Sequence, residues 1–95
     1  MFNNLRELNL SRNKIGAKGC QHIFEGKNSF RCLLRLNLKE CGLNSESVEY
    51  LSATKCLQNL QSLNLGYNEI GDSGCEIISQ SNYLTNLKRL ILNEC

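Results

Sequence analysis

Ninety-five residues, 21% of them charged and with a net charge of +2, allow one small domain and call for neither nucleic acid nor a membrane surface as partner. The hydrophobic fraction is 41% with only 6% aromatics, so any core has to be built from aliphatic side chains. Charge is spread unevenly: residues 1–40 carry eight Lys or Arg against three Asp or Glu, and residues 41–80 carry one against five.

In chain order, the apolar residues Phe2, Leu5, Leu8 and Leu10 are followed by Asn13 and Ile15. That spacing fits neither one helix face nor a plain strand alternation. It returns at Phe30, Leu33, Leu36, Leu38, Cys41 and Leu43, and again at Leu57, Leu60, Leu63, Leu65, Asn68 and Ile70. A fourth copy runs through Leu84, Leu87, Leu90 and Leu92 to Cys95. The period is 28, then 27, then 27 residues, so the organising unit is a repeat: 2–29, 30–56, 57–83 and a partial 84–95.

Each unit divides the same way. Leu8-Asn9-Leu10 and its copies read as short strands, alternating apolar and polar. Helical segments follow at 17–26, 45–55 and 73–81, with Asn44 or Ser45 and Asp72 as N-caps. Cys20, Ile23 and Phe24, then Val48 and Leu51, then Cys75 and Ile78 form buried faces at helical spacing. Gly19, Ser47 and Gly74 share one position, where a small residue lets the helix approach the strand layer.

Strand, helix and strand in succession imply a parallel ladder with right-handed crossovers. Strands pair about 4.8 Å apart whereas helices pack about 8–10 Å apart. The stack must therefore curve, with strands inside and helices outside. The expected architecture is an α/β solenoid, a horseshoe segment of about three and a half repeats over 1–95.

The pattern L-x-x-L-x-L-x-x-[NC]-x-[LI] resembles the leucine-rich repeat, and the 27–28-residue period resembles its ribonuclease-inhibitor-like class. The consensus position alternates Asn13, Cys41, Asn68, Cys95. The Asn repeats continue as Ile15-Gly16-x-x-Gly19-Cys20 and Ile70-Gly71-x-x-Gly74-Cys75. This alternation is similar to ribonuclease inhibitor and to the leucine-rich regions of NOD-like receptors. The resemblance implies a protein-binding module of a larger protein, whose nucleotide switch would lie elsewhere. It leaves two alternatives: a stand-alone inhibitor that grips a basic enzyme, and a Ran-type GTPase-activating protein, for which no residue here is singled out.

The strands point every second residue away from the helices, so one sheet face is polar and open. The candidate protein-binding residues on that face are Glu7, Asn9, Arg12, Arg35, Asn37, Lys39, Glu40, Ser62, Asn64, Tyr67, Arg89, Ile91 and Asn93. Tyr67, Arg12, Arg35 and Arg89 are the preferred anchors, because Tyr and Arg dominate interface energetics. Asn9, Asn37 and Asn64 recur, which opens a second reading for them as a ladder between neighbouring strands. Asn13, Cys41, Asn68 and Cys95 are expected to form a structural ladder, bonding the turn backbones of their own and adjoining repeats.

The six cysteines form no C-x-x-C pair and the one histidine is His22, so no metal pattern is present. Cys20 and Cys75 are expected in helix cores, and Cys32 and Cys56 in part-exposed loops. Buried free thiols on repeat positions point to a reducing, cytoplasmic setting. Nucleophile, P-loop and zinc-protease motifs are absent, so no enzyme, cofactor or metal is expected. The chain starts on repeat apolar residues and stops at Cys95 in mid-repeat, as expected of a piece of a longer array.

Overall fold

The apolar positions at the repeat period line up on one another and fix the order of the elements. A computed structural model describes residues 4–25 and 30–95. Phe2 and Gly26, assigned above to the first repeat, lie outside them. The elements run β1 (Glu7–Asn9), α1 (Gly16–Phe24), β2 (Arg35–Asn37), α2 (Ser45–Ala53), β3 (Ser62–Asn64), α3 (Gly71–Ser79) and β4 (Arg89–Ile91), with a 3-10 turn at Lys55–Leu57.

The strands form one parallel sheet in the order β1-β2-β3-β4. Register follows the repeat: Leu8 lies beside Leu36, Leu36 beside Leu63, and Leu63 beside Leu90. Each strand starts one residue earlier than the Leu-Asn-Leu reading. The ladder still reaches the last leucine, since Leu10 N–H donates to Asn37 O at 2.9 Å.

Helices cover one face of this sheet. Leu33, Leu38, Leu57, Leu60 and Leu65 are wholly buried between the layers, and Leu36, Leu43, Leu51 and Leu63 nearly so. Each such side chain contributes on the order of 1.5–3 kcal/mol relative to exposure. Phe24 closes the first repeat, meeting Phe30 edge to face with centroids 5.2 Å apart. Among the described residues no helix is long and apolar enough to cross a membrane.

Several local expectations need correcting. Asp72 does not cap α3 but sits in its first turn, and Ile70 holds the cap position. The cause is Gly71, whose φ of +65° turns the chain into the helix earlier than a side-chain cap would. Asn44 does cap α2, in a reciprocal box: Ser47 N–H donates to Asn44 Oδ1, and Asn44 N–H to Ser47 Oγ, both at 3.1 Å.

Gly74 does not serve the strand layer. A Cβ there would stand 2.7 Å from Ile70 Cβ, so the small residue admits the isoleucine that precedes its own helix. Cys75 is exposed rather than buried, because no described helix packs on the far side of α3. Cys20, on the first helix and packed against α2, is wholly buried. Cys56 is buried in the 3-10 turn, with its thiol 3.4 Å from Phe24 O, and Cys32 is exposed.

Candidate functional site on the concave sheet face

The residues between the buried leucines of each strand face away from the helices and stack in rows. Glu7, Arg35, Ser62 and Arg89 form the first row and Asn9, Asn37, Asn64 and Ile91 the second. Over them lies a groove of about 440 Å³, lined in part by Glu7, Asn9, Arg35, Asn37, Ser62, Arg89 and Ile91. Lys39, Asn93 and the Arg12, Glu40 and Tyr67 positions follow at the strand ends and are not among its lining residues.

The second row is largely committed to the scaffold. Asn37 Oδ1 accepts from Lys39 N–H at 3.0 Å, Asn64 Oδ1 from Gly66 N–H at 2.9 Å, and Asn9 Oδ1 from both Ser11 N–H and its hydroxyl. Each asparagine thus closes the turn two residues beyond itself. A ladder between neighbouring strands, the reading offered above, is not what they make. Ile91 has no such bond to give and leaves an apolar, half-buried spot in the row.

Charge is concentrated in the first row. Arg35 Nε donates to Glu7 Oε1 at 2.6 Å, with the two side chains 57% and 64% exposed. So exposed a pair is worth about 0–1 kcal/mol, and a partner can break it cheaply. Arg89 stands in the same row beyond Ser62. At the strand ends Lys39 Nζ sits 5.1 Å from the centre of the Tyr67 ring, and Tyr67 is 47% exposed.

Behind this face runs the turn ladder. Asn68 is buried and makes five bonds. Its Oδ1 accepts from Cys41 N–H (2.9 Å) and Leu43 N–H (3.0 Å), and its Nδ2 donates to Leu38 O, Leu65 O and Gly66 O. The Cys41 thiol donates to Leu10 O at 3.1 Å and the Cys95 thiol to Leu65 O at 2.9 Å, each reaching the repeat before it. Among the described residues the exposed Asn13 side chain bonds only within its own turn, to Leu10 O and Ser11 O.

Period, parallel register, curved strand–helix layering and a ladder of this kind describe one family. A family profile described as "Leucine Rich repeat" matches residues 3–24 and 56–79. NACHT, LRR and PYD domains-containing protein 14 of Homo sapiens is 37% identical over 93% of this chain. Ribonuclease inhibitor of Sus scrofa is 34% identical over 96% of it. The chain belongs to the leucine-rich-repeat proteins of the ribonuclease-inhibitor-like class. A further relative, NACHT, LRR and PYD domains-containing protein 5 of Homo sapiens, is 42% identical over 74% of the chain. The chain spans 8% of the length of the first of these relatives, 21% of the second and 6% of the third.

Two features of this leucine-rich-repeat chain escaped sequence reading. Arg12, Glu40, Tyr67 and Glu94 all adopt left-handed backbone, with φ between 54° and 61°. Nothing in those four side chains announces it; only their shared repeat position does. The conformation directs the N–H groups of Arg12, Glu40 and Tyr67 onto Lys39 O, Gly66 O and Asn93 O of the next repeat, at 2.8–2.9 Å. The second feature is another ladder before the strands. Asn59 Nδ2 donates to Arg31 O and Asn86 Nδ2 to Gln58 O, and Cys32 holds the equivalent position in its repeat. The recurrence of Asn at 59 and 86 was the available signal.

Proposed function

We propose that the chain is a protein–protein recognition module that holds its partner against the concave sheet face, within a longer repeat array of a cytoplasmic NOD-like-receptor-type protein. The observation that carries this reading is the groove over an uncovered parallel sheet, a face that helices cover in most parallel folds. Arg35, Arg89 and Ile91 line it, and Tyr67 lies beyond the strand end with its ring beside Lys39. Binding rather than catalysis is the activity assigned. Among its described lining residues the groove offers one carboxylate, Glu7, and no histidine to move a proton.

Two observations support the larger context. The NACHT-containing relatives are far longer than the chain, which covers 8–9% of three human ones aligned along almost its whole length. All six cysteines are free thiols, which fits a reducing compartment. A ribonuclease-inhibitor-like role is a second reading, favoured by 34% identity across 96% of the chain. Arg35 and Arg89 in the groove have the wrong sign for gripping a basic enzyme, so it ranks below the first.

The test is a pull-down with the full-length protein, comparing wild type with Tyr67→Ala and Arg35→Glu. Loss of the same partner from both variants is expected, and equal recovery from all three rejects the concave anchors. The array reading has its own check. The isolated chain, with Leu90 exposed, should aggregate or melt at modest temperature. A sharp, reversible, concentration-independent melt counts against it.

A further inference from the structure

The polar groups of the concave groove are biased toward donors. Asn9, Asn37 and Asn64 each spend Oδ1 as an acceptor on the turn two residues on. A backbone N–H can only donate, so the oxygen of each carboxamide is fixed toward the turn and the Nδ2 amide is the group left over. Among the described residues none of these three amides has an acceptor, and those of the half-buried Asn37 and Asn64 are not sealed from solvent. The row that closes the turns therefore presents only its donors to an occupant.

The neighbouring row adds cations. Arg35 and Arg89 flank Ser62 on the two adjoining strands, and all three line the groove. Adjoining strands lie about 4.8 Å apart, so the two arginines leave the sheet about 10 Å apart, close enough for their long side chains to converge on one anion. Arg35 already holds a carboxylate in this groove, Glu7 Oε1 at 2.6 Å. Among the described residues Arg89 has no ion pair, and Glu7 is the one acid on the groove lining.

We propose that the groove takes an acidic segment of the partner protein, an inference that rests on the concave-face reading above. One Asp or Glu carboxylate of that segment seats over Ser62 between Arg35 and Arg89, in place of Glu7. Oxygens beside it accept from Nδ2 of Asn37 and Asn64, and an aliphatic side chain covers Ile91. Two guanidinium groups and a row of neutral donors suit a few carboxylates. A nucleic acid needs its regular phosphates matched by many cations, and the groove lining has two, one of them held by Glu7. Glu7 is then an internal competitor: it keeps Arg35 paired until a partner carboxylate displaces it.

The experiment is fluorescence anisotropy with the full-length protein and a labelled peptide of alternating Asp and Leu, compared with an Asn–Leu peptide and a thymidine oligonucleotide. Arg35→Ala and Arg89→Ala are each expected to weaken Asp–Leu binding about tenfold or more. Asn37→Asp and Asn64→Asp keep an oxygen to close the turn and lose the amide, so binding should fall while the melting temperature holds. Glu7→Gln should tighten binding, and Glu49→Gln, the same charge change on α2 across the molecule, should not. Wild-type affinity in both Arg variants overturns the proposal, as does an Asn–Leu peptide that binds equally or an oligonucleotide that binds more tightly. Equal effects of Glu7→Gln and Glu49→Gln reduce binding to net charge and also overturn it. A pull-down separates this inference from the reading it rests on. A partner lost with Tyr67→Ala but kept by Arg35→Ala, Arg89→Ala and Asn64→Asp refutes the acidic occupant alone, and a partner kept by all four refutes concave recognition as well.

Discussion

The turns around Asn68 and Cys41 follow equivalent backbone paths with different chemistry. Asn68 holds its turn through five hydrogen bonds, and the helix after it starts at Gly71 with no side-chain cap. Cys41 has only a weak thiol donor, and the helix after it starts with the Asn44–Ser47 capping box. The Cys41 and Leu43 N–H groups are satisfied from the next repeat, by Asn68 Oδ1. The thiol turn thus leans on the amide turn that follows it, which gives the Asn/Cys alternation a physical reason.

Removing the amide is the strongest way to break this arrangement. Asn68→Ala leaves two buried N–H groups and Leu38 O without their partner, and should cost about 3–5 kcal/mol in urea denaturation. Asn13→Ala, at an exposed copy of the same position, should cost about 0.5 kcal/mol. Comparable losses at both sites would remove the distinction. Gly74→Ala probes the uncapped helix start: its Cβ meets Ile70, for a cost of about 1–3 kcal/mol. Asn44→Ala probes the capped start and should cost about 1 kcal/mol.

The smallest effect separates the thiols. Burial, and then the neighbouring Cys41, push the Cys20 pKa up from 9.0 to about 11. The fold therefore favours the neutral thiol. Its contribution is fully present below the unfolded value near 9.0 and is lost as pH rises through about 11. Wild type should lose more stability than Cys20→Ala across that window, and parallel pH profiles would contradict this. In the native protein, maleimide should label the exposed Cys32 and Cys75 well before Cys20, Cys41 or Cys56.

The fold was legible because the repeat period imposes it: four matched registers set strand order, helix side and curvature together. What stayed hidden depends on neighbours or on backbone rather than on residue type. Cys20 and Cys75 follow the same Ile-Gly-x-x-Gly-Cys pattern, yet only the first has a helix packed over it. Tyr67 and Glu40 carry no sign of their left-handed backbone. The candidate face was legible as a set of outward positions, but the division within it was not. Asn9, Asn37 and Asn64 look like recognition residues until their bonds to the turn two residues on are seen.

That division gives the most direct measurement: substitute every concave position, and Asn68 in the turn ladder behind them, in the full-length protein and score folding and partner binding separately. Arg35, Ser62, Tyr67, Arg89 and Ile91 should lose binding while keeping stability, whereas Asn37, Asn64 and Asn68 should lose both. Binding losses that merely follow stability, or that gather on the helices instead of the strands, would contradict recognition by the concave face.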